Sequence, residues 1–311
     1  MSQDLNIRLA RPSDYDKILT LSEGIYDGYD YLPARYHTWM AMKNLHVMLA
    51  FSGDKLASLV AGSVIDEGKT LLTRARRTLP ELQGQGINKL LTQALIDLVR
   101  KQHPVIQRSR FVSRVKPEMA KKGYDTILMK DILSCVVACS TQRSQQIVDI
   151  DSVQIQTCTK EYICDVIFRS FSTRKRSLFP SNVIIADWFP FEPSRSNIDY
   201  LNQENDLVYF AVEKCAGGLS RKSFSIGVRS QCVKFPKCSV TIYSNDPLLH
   251  QAHLVHHFKR SCEDIEKEFA FTCWLDQRFT KSARKLLNQL LPIKSDEGID
   301  LTTAYLNQST F

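Results

Sequence analysis

Two glycines one residue apart, Gly84 and Gly86 in Leu82-Gln-Gly-Gln-Gly-Ile-Asn88, stand directly before apolar residues at Ile87, Leu90, Leu91, Ala94, Leu95, Leu98 and Val99. A spacing of three and four residues predicts a helix to about Lys101 with one apolar stripe. The helix therefore starts within the glycines, where its first N–H groups lack an intrahelical acceptor. Glycine lets a bulky ligand approach those groups. The stretch thus suits the pyrophosphate of a nucleotide-like cofactor, held by Leu79, Leu82, Gln83, Gly84, Gln85, Gly86, Ile87 and Asn88. An ordinary turn would use the same residue types.

A second cluster is the aromatic tract Ile25-Tyr-Asp-Gly-Tyr-Asp-Tyr-Leu-Pro-Ala-Arg-Tyr36, broken by Gly28 and Pro33. It reads as a loop whose rings either wall a pocket or fill surface grooves. Further on, His250, His253 and His257 recur at three- and four-residue spacing, with His256 adjacent. Imidazoles so placed share one helix face and would suit a metal, but no carboxylate or cysteine joins them at ligand spacing. A polar or half-buried helix face explains the pattern without a metal. Cys262 and Cys273 lack a paired base and read as packing.

The elements that must position these groups follow from periodicity. Asn6 to Ala10 is expected as a strand, Arg11-Pro-Ser-Asp14 as a turn and N-cap, and the next helix carries Tyr15, Ile18, Leu19 and Leu21. After the aromatic tract a short helix is expected around His37 to Lys43. Strands follow at His46 to Phe51 and Leu56 to Ile65, joined by Ser52-Gly-Asp-Lys55, and at Lys69 to Thr78 after the turn Asp66-Glu-Gly68. Beyond the long helix come a strand at Val105 to Ser113, a short helix at Pro117 to Lys122 and a strand at Thr126 to Cys139.

At 311 residues the chain has length for about two domains, and 43% hydrophobic with 24% charged residues is the composition of a soluble globular protein. No run reaches the ~18 apolar residues of a membrane helix. Met1-Ser-Gln-Asp-Leu-Asn6 lacks the basic and apolar blocks of a secretory signal. The nine cysteines include no C-x-x-C pair, which fits reduced thiols and a cytoplasmic location. The net charge of +8 is dispersed in short groups, Arg74, Arg76 and Arg77, then Arg108, Arg110 and Arg114, then Arg174, Lys175 and Arg176. A solvated surface accounts for much of this, so neither nucleic acid nor a membrane is expected as a partner.

The order β-α-α-β-β-β-(Gly loop)-α-β-α-β resembles the GNAT acetyltransferase superfamily over roughly residues 5 to 140. There the loop Q/R-x-x-G-x-G/A holds the pyrophosphate of acetyl-CoA; Gly84 and Gly86 match its glycines, while Glu81 stands where Gln or Arg is usual. Asp30-Tyr-Leu-Pro-Ala-Arg-Tyr36 with Trp39, Val64-Ile-Asp-Glu-Gly68 and Pro80 are similar to the vertebrate histidine N-acetyltransferase family, which makes N-acetyl-histidine from histidine and acetyl-CoA. The resemblance implies an α/β (α+β) GNAT fold, a mixed and mostly antiparallel sheet flanked by helices, and a C-terminal extension of about the length seen here. It places Tyr29, Asp30, Tyr31, Arg35 and Tyr36 beside the acceptor amine: Asp30 or Glu23 for its ammonium, Arg35 for a carboxylate. Each of these also has a structural alternative, Asp30 as a turn cap and Arg35 as a loop tie.

Acetyl transfer needs a neutral amine and a polarised thioester carbonyl. The resemblance implies a glutamate on the fourth strand, where this chain has Arg74, and no carboxylate lies between Thr70 and Pro80. Glu23, Glu67 or Asp30 would then supply the base, and Tyr124 a proton for the leaving thiolate, unless that ring only packs. Glu81 is expected to weaken CoA binding unless it points outward or pairs with Arg76 or Arg77.

The polar run Gln142 to Gln156 suits a linker, dividing the chain into a GNAT acetyl-CoA-binding catalytic domain at 1–141 and a C-terminal domain at 142–311. In the second part a helix at Tyr162 to Phe171 precedes strands at Leu207 to Glu213, Ser223 to Arg229 and Ser239 to Tyr243. A helix at Pro247 to Asp264, a strand at Phe269 to Leu275 and a helix at Lys281 to Leu291 complete it. This order echoes the first half and predicts a second, degenerate GNAT-like unit. Its turn Ser244-Asn-Asp-Pro-Leu248 has no G-x-G and is not expected to bind CoA. Three readings stay open: acetylation of a small amine such as L-histidine, a CoA-binding relative with little or no turnover, and acetylation of a peptide or protein amine. The oligomer is expected to be a monomer or homodimer.

Overall fold

A computed structural model describes residues 5–114, 123–138, 150, 153–169, 178–290 and 298–311. The short helix expected at Pro117 to Lys122, the group Arg174–Arg176 and most of the polar run from Gln142 lie outside them.

The first half opens with β1 (Leu5–Leu9), α1 (Tyr15–Ser22) and α2 (Leu32–Ala41). Next come β2 (Leu45–Ser52), β3 (Lys55–Ile65), β4 (Thr70–Thr78), α3 (Ile87–Gln102), β5 (Arg108–Ser113) and β6 (Asp125–Val137). α2 begins five residues before the expected start at His37. Pro33 sits in its first turn, where the missing N–H costs nothing, and Asp30 Oδ1 accepts the Leu32 N–H at 2.9 Å. Asp14 does not cap α1 with its side chain; its carboxylate accepts the Arg11 N–H and pairs with Arg8.

The second half contains β7 (Gln154–Cys158), α4 (Lys160–Tyr162, continued by a π-helical turn Ile163–Phe168), β8 (Ile184–Ala186), β9 (Phe189–Phe191) and α5 (Arg195–Glu204). It continues through β10 (Leu207–Cys215), β11 (Gly218–Leu219), β12 (Ser223–Gln231), β13 (Pro236–Ser244) and α6 (Pro247–Asp264). β14 (Phe269–Leu275), α7 (Thr280–Leu290) and β15 (Asp300–Thr310) end it. β7, the β8–β9 hairpin, α5 and β15 add to the elements expected from periodicity.

One thirteen-stranded sheet runs through both halves in the order β1-β2-β3-β4-β5-β15-β6-β14-β13-β12-β10, with β7 and β11 on β10. β4 pairs parallel to β5, and β13 parallel to β14; the other pairings are antiparallel. β15 is inserted between β5 and β6, so the last strand of the chain completes the sheet begun by the first half. In return β6 pairs with β14. The two halves exchange strands at the seam, which gives the sheet a centre with no edge to expose.

α3 buries Ile87, Leu91, Leu95 and Val99 on the face of β2, β3 and β4, against Val60, Val64 and Leu71. Its close approach depends on Gly62 of β3: a Cβ there would lie 2.8 Å from both Leu71 and Leu95. α6 and α7 cover the corresponding face of the second half, with Leu254, Phe258 and Leu287 buried against Val240, Phe271 and Cys273. Among the described residues no helix is long and apolar enough to cross a membrane.

Candidate functional site

β4 and β5 are hydrogen-bonded neighbours only over Thr70–Leu72 and Arg108–Arg110. Beyond Leu72 the strands part. There β4 carries an irregularity: its register with β3 shifts between Leu59 and Ala61, and Ala75 adopts φ +53°. Backbone groups in such a gap are not used by the ladder, so an extended ligand can meet them.

At the far end of β4 the chain passes Leu79 and a short turn at Pro80–Leu82 into the glycine loop. Gly84 and Gly86 have φ of +77° and +79°, conformations costly for a residue with a Cβ, and Gly86 precedes the first turn of α3. A Cβ at either would meet nothing within 4 Å, so the loop faces open space. No hydrogen bond within the described residues takes up the N–H groups of residues 84–88; the first bonds of the helix come from Lys89 and Leu90 to the Gly86 carbonyl. Gln83 and Gln85 brace the loop through bonds to the Thr78 and Glu81 carbonyls. Leu79 and Leu82 pack under it and Ile87 is buried. Glu81 is exposed and pairs with Lys55 at 2.5 Å, not with Arg76 or Arg77, so its charge is directed outward and compensated.

Beside the gap, Arg76 lies 4.5 Å over the Phe111 ring and donates to Thr73 Oγ1 at 2.9 Å; burial pulls its pKa below the ordinary value. Tyr124 meets Phe111 edge-on at 4.9 Å. Arg76, Phe111 and Tyr124 thus form one cluster.

The other face of the gap is covered by the second half of the chain. Arg74 of β4 donates to Glu204 Oε1 at 2.5 Å, to Ser63 Oγ at 2.8 Å and to Tyr200 Oη at 3.3 Å, and its guanidinium lies 4.7 Å over Trp39. Burial opposes its charge, but Glu204 outweighs that cost and its pKa ends above the ordinary value. Glu204 Oε1 also accepts from Arg35 Nη1 and Trp39 Nε1, each at 3.2 Å. Arg35 reaches Asn205 at 2.8 Å and lies 3.9 Å from Asp187, which is itself held by Lys237 at 2.6 Å. Arg35, Arg74, Asp187, Glu204 and Asn205, with Tyr31 and Trp188, line a narrow cavity between α2, β4, α5 and the turn of the β8–β9 hairpin.

A second polar cluster locks the same interface. Buried Asp66, in the turn before β4, accepts from Arg110 at 2.8 Å, from Asn197 Nδ2 at 2.8 Å and from the Glu192 N–H at 2.9 Å.

The residues singled out in the sequence separate in space. Tyr31 and Arg35 line the cavity. Asp30 is fully buried behind it, where it pairs with Arg77 and caps α2; Tyr36 is fully buried, its hydroxyl donating to the Arg11 carbonyl at 2.8 Å. Tyr29 packs edge-on against Phe235 of the second half. The candidate bases are displaced from the cavity. Glu23 is exposed at the end of α1, and Glu67 is exposed beside Lys69 in the turn at the end of β4 opposite the glycine loop. Glu204, absent from the sequence reading, is the carboxylate at Arg74; only its place near the end of an amphipathic stretch, Ile198, Leu201 and then Glu204, marks it in the sequence.

Residues 152–276 match the family model described as histidine N-acetyltransferase, C-terminal. Histidine N-acetyltransferase of Scomber australasicus is 24% identical over 316 residues, 93% of this chain and 89% of that protein.

Over its C-terminal part the chain is similar to the histidine N-acetyltransferase family.

Histidine N-acetyltransferase of Xenopus tropicalis is 29% identical over 209 residues, 63% of this chain. The aligned stretch spans 62% of that protein and 57% of a human N-acetyltransferase relative. Among solved structures, a tandem GNAT protein from the clavulanic acid biosynthesis pathway superposes with a TM-score of 0.57 at 10% identity, covering 99% of this chain and 98% of that one. The fold of this chain is therefore a GNAT fold with a second GNAT-like unit.

In the second unit the helix equivalent to α3 is α6, and its N-terminus is closed. Pro247 contributes no N–H, and Asp246 accepts from Leu248 at 2.8 Å and Leu249 at 3.2 Å. A carboxylate stands where the first unit leaves its N–H groups open. The histidines of α6 are buried against β12: Ser225 Oγ bonds both His253 Nδ1 and His257 Nε2 at 2.7 Å, and Ser223 bonds His253 Nε2 at 2.9 Å. Burial is the main cause pushing His250 and His253 down to about 3 and His257 well below its ordinary value. Cys262 and Cys273 are buried, and burial raises the Cys273 thiol.

Proposed function

We propose that this protein transfers the acetyl group of acetyl-CoA to the α-amino group of a small amino acid, with L-histidine as the expected acceptor. The observation that carries this reading is the covering of the β4–β5 gap by α5 and the β8–β9 hairpin. A peptide acceptor needs an open groove, whereas the covering elements leave only a narrow, charged cavity on this face, which favours a small acceptor whose entry displaces the lining side chains.

The chain's residues fit the cosubstrate. The open N–H groups of residues 84–88 and the Cβ-free glycines would hold its pyrophosphate, with Leu79 and Leu82 beneath. Acetyl-CoA supplies a thioester: the amine nitrogen bonds to its carbonyl carbon, the C–S bond breaks, and CoA leaves as the thiol. Glu204 replaces Glu23 and Glu67 as the carboxylate proposed to accept the ammonium proton, because it alone of the three lies on the cavity. Tyr124, beside Arg76, is the proposed proton donor at the thiol end. Tyr31 and Arg35 face the acceptor, and Tyr29, Asp30 and Tyr36 set their positions. Residues 1–141 are proposed as the acetyl-CoA-binding catalytic domain and 142–311 as its degenerate partner, acting in the cytoplasm as a monomer or homodimer.

Purified protein with acetyl-CoA and a panel of amino acids and peptides, followed by thiol release, tests the proposal. Release is expected with L-histidine. No release with any acceptor, although CoA protects the protein from heat, would replace acetyl transfer by CoA binding alone.

A further inference from the structure

β4 and β5 carry five arginines, and four of them meet a carboxylate: Arg74 pairs with Glu204, Arg77 with Asp30, and Arg108 and Arg110 with Asp66 and Glu192. The fifth, Arg76, has none among the described residues. Its Nη2 donates to Thr73 Oγ1 at 2.9 Å and its guanidinium lies 4.5 Å over the Phe111 ring, so it reaches from β4 to β5 where the two strands have parted. A guanidinium carries five N–H donors, and the remaining ones of Arg76 have no partner among the described residues. A half-buried cation without a counter-charge is costly, which is why burial lowers its pKa. Such a group suits a ligand on which negative charge develops inside the gap.

We infer that Arg76 holds the sulfur of CoA as a thiolate when the thioester breaks; the inference rests on the proposed acetyl transfer from acetyl-CoA.

The order of groups along β4 points to the sulfur as its target. From the acceptor cavity toward the phosphate cradle the strand runs through Arg74, Ala75 and Arg76 and then, past Thr78, into the turn before the glycine loop. Arg74 is held by Glu204 on the cavity side, whereas Arg76 lies beyond Ala75 on the loop side. A thioester with its pyrophosphate at residues 84–88 and its acetyl group toward the cavity therefore brings its sulfur to Arg76. Tyr124 meets the same Phe111 ring edge-on at 4.9 Å, so guanidinium and phenol converge on one ring. Among the described residues, Tyr124 is also the titratable group whose charge acts on Arg76. In the step the amine nitrogen bonds to the carbonyl carbon and gives its proton to Glu204, and the C–S pair goes to sulfur. The thiolate stays beside Arg76 until it takes the Tyr124 proton, which solvent restores. An isolated thiol titrates near ~8.5, and a neighbouring cation favours its anion.

The test titrates the thiol of CoA bound to the full chain, read by the ultraviolet absorbance of the thiolate against the complex with desulfo-CoA. In the natural protein the bound thiol is expected to ionise at least about one pH unit below free CoA. Arg76→Met keeps the length and removes the charge, and is expected to abolish the shift. Arg76→Lys should retain part of it, and Tyr124→Phe most of it. Arg76→Met should also lower kcat with acetyl-CoA by about 100-fold with little change in KM. Its urea midpoint should hold or rise, because no carboxylate is left without a partner. A bound thiol that ionises like free CoA, or a shift that survives Arg76→Met, would overturn the inference while leaving acetyl transfer standing. Transfer to no amine at all would overturn the proposed function, and the thiol titration would then decide the inference by itself.

Discussion

Arg74 on β4 and Glu204 on α5, 130 residues apart in the chain, meet at 2.5 Å in a buried ion pair that joins the two halves. Glu204 also pairs with Arg35 Nη1 at 3.2 Å. Glu204→Ala therefore leaves two buried guanidinium groups short of a partner, and a loss of about 3–5 kcal/mol is expected in urea unfolding. Glu204→Gln keeps the shape and one acceptor, so it should lose less. Equal stability of Glu204→Ala and the natural protein would contradict the pairing.

The glycine loop leads to a different readout. Gly86→Glu places bulk and a negative charge where the N–H groups of residues 84–88 are open. Thermal protection by CoA should weaken by at least about tenfold in concentration, because the helix N-terminus no longer offers a cradle for an anion. Undiminished protection would move the phosphate site elsewhere.

Glu81 and Lys55 bear on the same loop. The pair is exposed, so Lys55→Gln should change stability by under about 0.5 kcal/mol. It frees a negative charge beside the loop, however, and CoA affinity is expected to drop about two- to threefold at low salt and to recover at high salt. An effect that persists at about 1 M salt would rule out an electrostatic origin.

The buried histidines of α6 fix the direction of acid sensitivity. Their ordinary value is 6.5; burial, helped by neighbouring positive charge, holds His250 and His253 near 3 and His257 well below the ordinary value. Between these values the unfolded chain binds the extra protons. Stability is therefore complete above about pH 6.5 and falls as pH drops toward about 3, by ~1.4 kcal/mol per unit for each histidine. The urea midpoint should decline from pH 7 to pH 5, and His253→Asn should flatten the decline. A flat profile in the natural protein would show that the imidazoles are not held neutral.

The parts of this molecule that were legible in the sequence are those with strong local signals. Gly84 and Gly86 before Ile87, Leu91, Leu95 and Val99 located α3 and its open N-terminus, and Pro247 to Asp264 reads as a helix with the bounds it has. The aromatic tract ending in Asp30-Tyr-Leu-Pro-Ala-Arg-Tyr36 reads as a loop because Gly28 and Pro33 break it, yet Pro33 fits a first helical turn and α2 forms from Leu32. β15, Asp-Leu-Thr-Thr-Ala-Tyr-Leu-Asn-Gln-Ser-Thr310, carries little apolar alternation, since polar groups such as buried Asn307, bonded to Thr126, fill its contacts between β5 and β6. Nothing local announces that a terminal strand will cross to the other half. Glu204 was hidden for the same reason: its partners Arg35, Trp39 and Arg74 are all more than 120 residues away, and only the packing of α5 on the first half brings them together.

The most direct measurement is formation of the N-acetylated product by purified protein given acetyl-CoA and either free L-histidine or a short peptide beginning with histidine. If the narrow cavity is the acceptor site proposed above, the free amino acid is acetylated and the peptide is not. Acetylation of the peptide at a rate equal to or above that of L-histidine would contradict the account.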